Sequence, residues 1–303
     1  MPVIEVNHLQ KRYGDTVAVR DVSFVVERGE IFGILGPNGA GKTTTVESIA
    51  GLRKPDGGRI TVLGLPPGEP ELRRGVGVQL QEAQLPEKMT VREALELYRA
   101  FYPAPADWRG LARELGLSDK LNIRFGRLSG GQKQRLSIAL ALIGNPEIAI
   151  LDELTTGLDP QARRDTWDLI ESIRDRGVTV LLVTHFMEEA ERLCDRLAVI
   201  DSGRVVALDT PAGLVAEVNA EQTLRFRPSK PLDDTLLTDL PEVRHVRRRG
   251  STVEVVGDGN VVHAVTSVLA ANQIIAADLR IEQASLDDAF VKLTGRPVET
   301  AES

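Results

Sequence analysis

The sequence predicts an α/β protein with a mostly parallel sheet covered by helices on both faces, followed by a small α+β domain. Three short segments, EIFGILG, NPEIAILDE and VTVLLVTH, are nearly all apolar, as in strands buried on both faces. Each is followed by a segment with helical signals, and strands that alternate with helices favour a parallel sheet. After about Pro211, shorter strand and helix patterns indicate a second unit.

The first part of the chain changes character near its middle. Up to about residue 65 it reads as strands and turns around one glycine loop and its helix. From about Gln81 to Gly126 the pattern is helical. There Thr90 is a candidate N-cap, and Glu93 three positions later completes a capping box. This stretch is predicted to be a helical insertion.

Helix boundary signals continue through the second half. Asp159 as N-cap, Pro160 at the first helical position and Gly177 beyond the end agree on one long helix. A hairpin is expected around residues 249–251. The predicted organisation is one domain over 1–215 with a helical subdomain at about 82–130, an α+β accessory domain over 216–298, and a disordered tail over 299–303.

Composition excludes several classes of protein. The chain has 303 residues, a net charge of −7 and a single cysteine, Cys194. An acidic balance disfavours a general nucleic-acid binder, so no nucleic-acid partner is expected. One cysteine allows no internal disulfide, and we expect it to be a buried apolar residue. The longest apolar runs are strand-sized, so the chain is expected to be soluble.

A glycine loop between a predicted strand and a predicted helix is the strongest chemical signal. The segment GPNGAGKT, from Gly36 to Thr43, fits G-x-x-x-x-G-K-[ST] in the context that this pattern requires. Glycines let backbone N–H groups approach phosphate oxygens, and Lys42 supplies positive charge. The Thr43 hydroxyl suits Mg²⁺, which prefers oxygen ligands. A glycine turn without a ligand is the weaker interpretation.

Two carboxylates follow another buried strand. Asp152 can hold Mg²⁺ through water, and Glu153 can polarise an attacking water as general base. Two acids after a strand are usually a solvated loop, but the phosphate loop makes the pair expected chemistry. A second glycine-containing helix start, LSGGQ at Leu128–Gln132, is also suited to anions, which raises the question of why one chain has two such sites.

The ordered motifs GPNGAGKTT, LSGGQ, LDE, TGLD and VTH resemble the ATP-binding subunit of an ABC transporter over roughly residues 3 to 215. The resemblance implies a P-loop NTPase (RecA-like) core with an antiparallel β subdomain and a helical insertion. It implies ATP and Mg²⁺ as ligands, and a head-to-tail pair of subunits with two ATP molecules between them. It also implies a separate multi-span permease, which would keep the chain at the cytoplasmic face of the membrane.

The resemblance assigns roles to individual residues. Tyr13 would stack on adenine, Asp159 would lie at the dimer seam, and His185 would contact the γ-phosphate. Gln81 would sense Mg²⁺ and the permease, with Gln79 as a neighbouring alternative. The phosphate loop would comprise Gly36, Pro37, Asn38, Gly39, Ala40, Gly41, Lys42, Thr43 and Thr44. The segment that contacts the partner subunit's ATP would comprise Ser129, Gly130, Gly131 and Gln132. The metal ligands would be Thr43, Gln81 and Asp152, and the catalytic residues would be Glu153, His185 and Lys42.

One position departs from the family pattern. A proline usually follows the catalytic glutamate, and here Leu154 stands instead, which removes a restriction on φ and puts the turnover rate in doubt. In the helical stretch, Leu95, Tyr98 and Tyr102 have helical spacing. Core packing is the favoured interpretation, and the rim of a groove for a partner helix is the alternative.

The end of the chain indicates a transporter subtype. SLDDAFVKLTGRP resembles the tail of daunorubicin-type exporters, which favours export of a drug, antibiotic or lipid-like molecule. The alternative is a soluble ABC ATPase acting on ribosomes or DNA, but neither a coiled-coil insertion nor a second ATPase unit is present in the sequence. A different P-loop enzyme, such as a small-molecule kinase, would leave LSGGQ and His185 unexplained.

Overall fold

The computed structural model describes residues 1–80, 85–218, 221–282 and 285–295. Contacts divide the chain into two units, with the boundary between Pro211 and Ala212. The sequence placed the domain boundary after residue 215, slightly later. Gln81 and the tail 299–303 lie outside the described residues.

The first unit contains nine strands and seven α-helices among its described residues. The strands are β1 (Pro2–Tyr13), β2 (Thr16–Glu27), β3 (Ile31–Leu35), β4 (Gly57–Val62), β5 (Val76–Gln79), β6 (Ile148–Asp152), β7 (Thr179–Thr184), β8 (Arg196–Asp201) and β9 (Arg204–Asp209). The helices are α1 (Lys42–Ile49), α2 (Leu72–Gly75), α3 (Val91–Arg99), α4 (Trp108–Glu114), α5 (Gly130–Leu142), α6 (Pro160–Asp175) and α7 (Met187–Leu193). Helix α8 (Pro211–Val218) begins at the last residue before the boundary and belongs otherwise to the second unit.

The nine strands form one sheet in the order β4-β1-β2-β9-β8-β3-β7-β6-β5. The strands from β8 to β5 pair in parallel, whereas β1 pairs antiparallel with β2 and β4. Every residue of β3, β6 and β7 is buried, as their apolar sequences predict. Because these three neighbours are parallel, their carboxyl ends meet at one edge of the sheet, and this edge carries the candidate site.

The helix boundary predictions are confirmed. The Thr90 hydroxyl oxygen accepts a hydrogen bond from the Glu93 N–H, and the Glu93 carboxylate accepts one from the Thr90 N–H. Asp159 caps α6, Pro160 is its first residue, and Gly177 beyond its end has a φ of 89°. These signals act between neighbours in sequence, which is why they are readable without the fold.

The second unit is a small α+β structure, as predicted. Its elements are β10 (Glu221–Pro228), α9 (Thr235–Thr238), β11 (Val243–Arg249), β12 (Thr252–Asp258), α10 (Val261–Ala271), β13 (Ala276–Glu282) and α11 (Leu286–Thr294). The four strands form an antiparallel sheet in the order β11-β12-β10-β13. Apolar side chains of β10, β12 and α10, including Phe226, Val255 and Val265, form its core.

Two further predictions concern burial and length. Cys194 is a free, buried cysteine, as its apolar interpretation requires. Across the part of the chain that the structure describes, no helix combines the length and the apolar character needed to cross a membrane.

Candidate functional site

The glycine loop follows β3 and turns directly into α1. Gly39 and Gly41 have φ values of 77° and 103°, a region that residues with a Cβ rarely adopt. A Cβ on Gly36 would lie 2.2 Å from the carbonyl oxygen of Ile200, and one on Gly41 would lie 2.6 Å from that of Ala18. The glycines are therefore required by the path of the loop and by the strands packed against it.

Lys42 is the first residue of α1, and its side chain returns over the loop. Its Nζ donates to the carbonyl oxygens of Gly36 at 2.9 Å and Pro37 at 3.2 Å. The side chain is buried, while Thr43 beside it is exposed. Lys42 thus places a positive charge inside a loop whose helix start attracts anions.

Asp152 ends β6 as a buried carboxylate. Only 1% of it is exposed, and neither carboxylate oxygen accepts a hydrogen bond from the described residues. Burial and then the neighbouring charge of Glu153 raise the pKa of Asp152 to about 6, against the opposing effect of Lys42. A buried carboxylate without hydrogen bonds is costly, so this position suits a cation.

Glu153 begins the turn after β6 in a left-handed backbone conformation, with a φ of 48°. Its N–H donates to the carbonyl oxygen of Val183 in β7 at 2.9 Å. Its Oε1 lies 3.3 Å from Nδ1 of His185, the residue after β7. Contact with His185 lowers the pKa of Glu153, outweighing burial, so the carboxylate is ionised at neutral pH as a general base must be.

The residues present fit a Mg²⁺ ion. Asp152 offers two carboxylate oxygens that accept no hydrogen bond from the described residues, and Thr43 is exposed at the start of α1. Oxygen ligands of this kind suit Mg²⁺, which would supply positive charge against the negative charge of the phosphates. The third predicted ligand, Gln81, lies outside the described residues, so its role stays a prediction.

Gln79 has a role that the sequence did not reveal. Its buried side chain accepts a hydrogen bond at Oε1 from the Asp152 N–H at 3.3 Å and donates through Nε2 to the Leu80 carbonyl at 3.0 Å. Gln79 ends β5, the strand paired with β6. The glutamine considered as an alternative sensor therefore lies beside the aspartate and holds its backbone.

The second anion-suited segment starts helix α5. Ser129 is the N-cap, and it exchanges hydrogen bonds with Gln132 in a complete capping box. A cleft of about 240 Å³ lies beside it, and Leu158 and Asp159 also line this cleft. The lining residues are Ser129, Gly130, Gly131, Gln132, Arg135, Gly157, Leu158, Asp159 and Ala162. The Ser129 segment and Asp159 thus meet at one cleft, whose lining contains no phosphate-loop residue.

Asp159 is the N-cap of helix α6. The Asp159 carboxylate accepts hydrogen bonds from the N–H groups of Gln161 and Ala162, so it has a structural role as helix cap besides its predicted place at a dimer seam.

Tyr13 ends β1 and is 42% exposed, with Lys11 and Arg53 against its ring. An exposed ring of this kind is available for stacking, which remains a prediction.

Leu154 is fully buried behind Glu153. Packing thus anchors the turn where the family pattern has a rigid proline.

In the helical stretch Leu95 is fully buried, which fits core packing, whereas Tyr102 is partly exposed. Tyr102 lines a cleft of about 720 Å³ together with the exposed Phe101 and Leu52, residues of α2, and Val78 of β5.

Comparisons with known proteins identify the family of the chain. The model of the family described as ABC transporter matches residues 19–156. The "Nod factor export ATP-binding protein I" of Rhizobium etli is 40% identical over 309 aligned positions, covering 99% of this chain and 95% of the relative. That of Paraburkholderia xenovorans is 42% identical, covering 98% of each chain.

Solved structures of ATP-binding cassettes are similar to the first unit. A structure of an ATP-binding subunit of an ABC transporter has a TM-score of 0.64 and 32% identity, covering 71% of this chain and 92% of its own. A dimeric cassette in a post-hydrolysis state, bound to ADP and Pi, has a TM-score of 0.61 and 26% identity. It covers 68% of this chain and 98% of its own. The expected P-loop NTPase fold is confirmed.

Proposed function

Because this chain belongs to the ABC transporter family as an ATP-binding subunit with ATPase activity, we propose that it powers an exporter by closing as a dimer on two ATP molecules. The observation that carries the proposal is the cluster of Asp152, Glu153 and His185 at the edge of the sheet beside the phosphate loop. The relatives are transporter subunits by name, and nothing in them supports the alternative of a soluble ATPase acting on ribosomes or DNA.

The residues of the site have separate roles in ATP hydrolysis. Lys42 and the loop N–H groups hold the phosphates and stabilise their charge. Thr43, Asp152 and Gln81 would hold Mg²⁺, which supplies charge neutralisation when bound. Glu153 orients and deprotonates the attacking water, a role that typically contributes about 10²–10⁴-fold. His185 favours the ionised form of Glu153. It would also contact the γ-phosphate.

The second anion-suited segment serves the other subunit's ATP. Its cleft is lined by the Ser129 segment and Asp159 but by no residue of the phosphate loop. A helix start that lacks its own phosphate-binding glycine loop can complete a site supplied by a second copy or a close homologue. The dimeric cassette among the similar structures supports this arrangement.

A membrane permease is the proposed partner, and it would hold this chain at the cytoplasmic face of the membrane. The cleft beside Phe101 is large, and Phe101 and Leu52 are 69% and 57% exposed within it. Exposed apolar side chains grouped in a groove suit an amphipathic helix. Glu69, Arg73 and Arg74 lie in the same cleft and would set the register of that helix through charge.

Export is proposed over import because the relatives are named for export. The tail resemblance favours a drug, antibiotic or lipid-like cargo, and the relatives are named for Nod factor. The daunorubicin type in particular is not confirmed by these relatives. The cargo class therefore rests on the tail sequence from Ser285 to Pro297.

Co-purification tests the partner. The tagged chain would be isolated from gently solubilised native membranes with ATP and Mg²⁺, and bound proteins identified by mass spectrometry. We expect a stoichiometric multi-span protein with wild type and with Ile275→Asp, a control that is 71% exposed, but much less with Phe101→Asp. Recovery of only ribosomal or nucleoid proteins would contradict a permease as the partner. Recovery of as much permease with Phe101→Asp as with wild type would contradict the cleft as its docking site.

A further inference from the structure

Helix α7 contains a buried carboxylate that the proposed hydrolysis does not use. Glu189 is fully buried, whereas its neighbour Glu188 is exposed. Glutamate is rarely buried completely unless it has partners that compensate for lost hydration. The surroundings of Glu189 therefore indicate what the carboxylate does.

The partners of Glu189 come from three separate segments. Trp167 of α6 donates its Nε1–H to Glu189 Oε1 at 3.0 Å. The hydroxyl groups of Thr184 and Thr155 adjoin the carboxylate, and the charge of Arg163 is close enough to act on it. Burial raises the pKa of Glu189, and these four neighbours oppose that effect.

Each of these segments also carries a residue of the proposed site. Thr155 lies two residues after Glu153, and Thr184 immediately precedes His185. Trp167 lies on α6, which begins at the Asp159 cap. Glu189 is thus a common neighbour of the general-base turn, of the strand end that holds His185, and of the helix that lines the Ser129 cleft.

Several polar atoms around Glu189 are buried without a hydrogen bond to any described residue. Glu189 Oε2 and Thr155 Oγ1 are buried neighbours, and neither makes a hydrogen bond within the described part of the chain. The same holds for the buried Nε of Arg163. The Arg163 guanidinium instead lies 4.5 Å from the ring centre of Phe186, next to His185. A small movement of the turn that contains Thr155 would complete the Glu189 contacts.

We propose that Glu189 is a positioning residue for ATP hydrolysis, whose buried carboxylate holds the Glu153 turn and the His185 strand end in register with helix α6. The inference rests on the proposed roles of Glu153 and His185. Glu189 contacts neither ATP nor the attacking water in this scheme. It acts through Thr155, Thr184 and Trp167, so its loss should impair the chemical step and spare nucleotide binding.

The test compares Glu189→Gln with the matched control Glu188→Gln. The glutamine side chain keeps the size of glutamate and one acceptor oxygen. An NH₂ group replaces the second oxygen, and this group donates hydrogen bonds and cannot accept them from the threonine hydroxyls. We expect kcat for ATP to fall about tenfold or more in Glu189→Gln, with ATP affinity within about twofold of wild type. Glu188→Gln should match wild type.

A second variant guards against misfolding. Trp167→Phe keeps an aromatic ring and removes only the Nε1–H donor, and we expect about a threefold or larger fall in kcat per folded molecule, again without loss of ATP affinity. A purely structural role would lower the melting temperature and leave kcat per folded molecule unchanged in both variants. That result, or parallel loss of ATP binding and turnover, would overturn the inference.

Glu153→Gln serves as the reference variant. If it abolishes turnover while Glu189→Gln and Trp167→Phe match wild type, the positioning role is wrong and the proposed function stands. If Glu153→Gln itself turns over ATP like wild type, the proposed function is wrong and the inference falls with it.

Discussion

The Nδ1 atom of His185 lies 3.3 Å from Oε1 of Glu153, so the residue after β7 contacts the residue after β6. The two strands are parallel neighbours, and the Glu153 N–H is itself bonded to β7. This contact is the main reason that the pKa of Glu153 is low despite partial burial. A histidine at this position therefore favours the ionised form of Glu153, the proposed general base.

The first prediction concerns the pH profile of His185→Ala. Without the imidazole, burial raises the Glu153 pKa, and the carboxylate protonates at a higher pH. Because the general base must be ionised, the acid limb of the kcat–pH profile should move to higher pH, and kcat at pH 7 should fall. Steady-state assays from pH 5 to 9 measure this, with the exposed His263→Ala as control. An unmoved acid limb would contradict the contact's role.

The second prediction concerns the stability of Asp152→Asn. The folded-state pKa of Asp152 is raised from 3.8 to about 6, so its protonated form is favoured by folding. That contribution is complete below pH 3.8 and is lost as the pH rises through 6. At pH 8, without nucleotide or divalent cation, the neutral asparagine should therefore stabilise the fold by about 1–3 kcal/mol.

Urea unfolding at pH 8 and pH 4 measures this difference, which should nearly vanish at the lower pH. The exposed Asp15→Asn is the control and should show no such gain. The same Asp152 variant should lose the dependence of ATP binding on Mg²⁺. A variant less stable than wild type at pH 8 would show that the ionised carboxylate is compensated within the fold.

The third prediction concerns nucleotide affinity. Lys42 is buried over the phosphate loop, and removing its charge by Lys42→Ala should weaken ATP binding by about 100-fold. Equilibrium binding of a fluorescent ATP analogue measures the effect, and the exposed Lys88→Ala should bind normally. Normal affinity in Lys42→Ala would remove the loop as the phosphate site.

The fourth prediction tests whether the Ser129 segment acts on the ATP of a second copy. Ser129→Arg blocks the start of α5, so each monomer should still bind ATP at its own loop but fail to form an ATP-dependent dimer. Mixed with Lys42→Ala, it should regain one occluded ATP per two chains, because one composite site is then intact. No recovery in the mixture would indicate that both segments act within one chain.

The helix boundaries and the phosphate loop could be read from sequence because their determinants are neighbours along the chain. The Thr90–Glu93 capping box and the Asp159 cap depend on residues within three positions. The strand order depended on contacts between distant segments, such as β9 lying between β2 and β8, and no local signal specifies it.

The site was predictable in type but not in its supporting contacts. Glu188 and Glu189 are adjacent glutamates, so the sequence alone does not show which of them is buried. The packing of α7 against α6 buries Glu189. Similarly, the hydrogen bond from Asp152 to Gln79 joins residues far apart in the chain. The left-handed backbone at Glu153 is also a product of the fold, because no glycine marks it.

The most direct test of the central claim, that Glu153 is the general base at an ATP site completed by a second copy, is the behaviour of Glu153→Gln with ATP and Mg²⁺. Turnover and molar mass would be measured together, by phosphate release and by light scattering after size exclusion. We expect turnover to fall at least about 100-fold and the chain to form a stable dimer that retains ATP. Wild-type turnover, or a chain that stays monomeric with ATP bound, would contradict it.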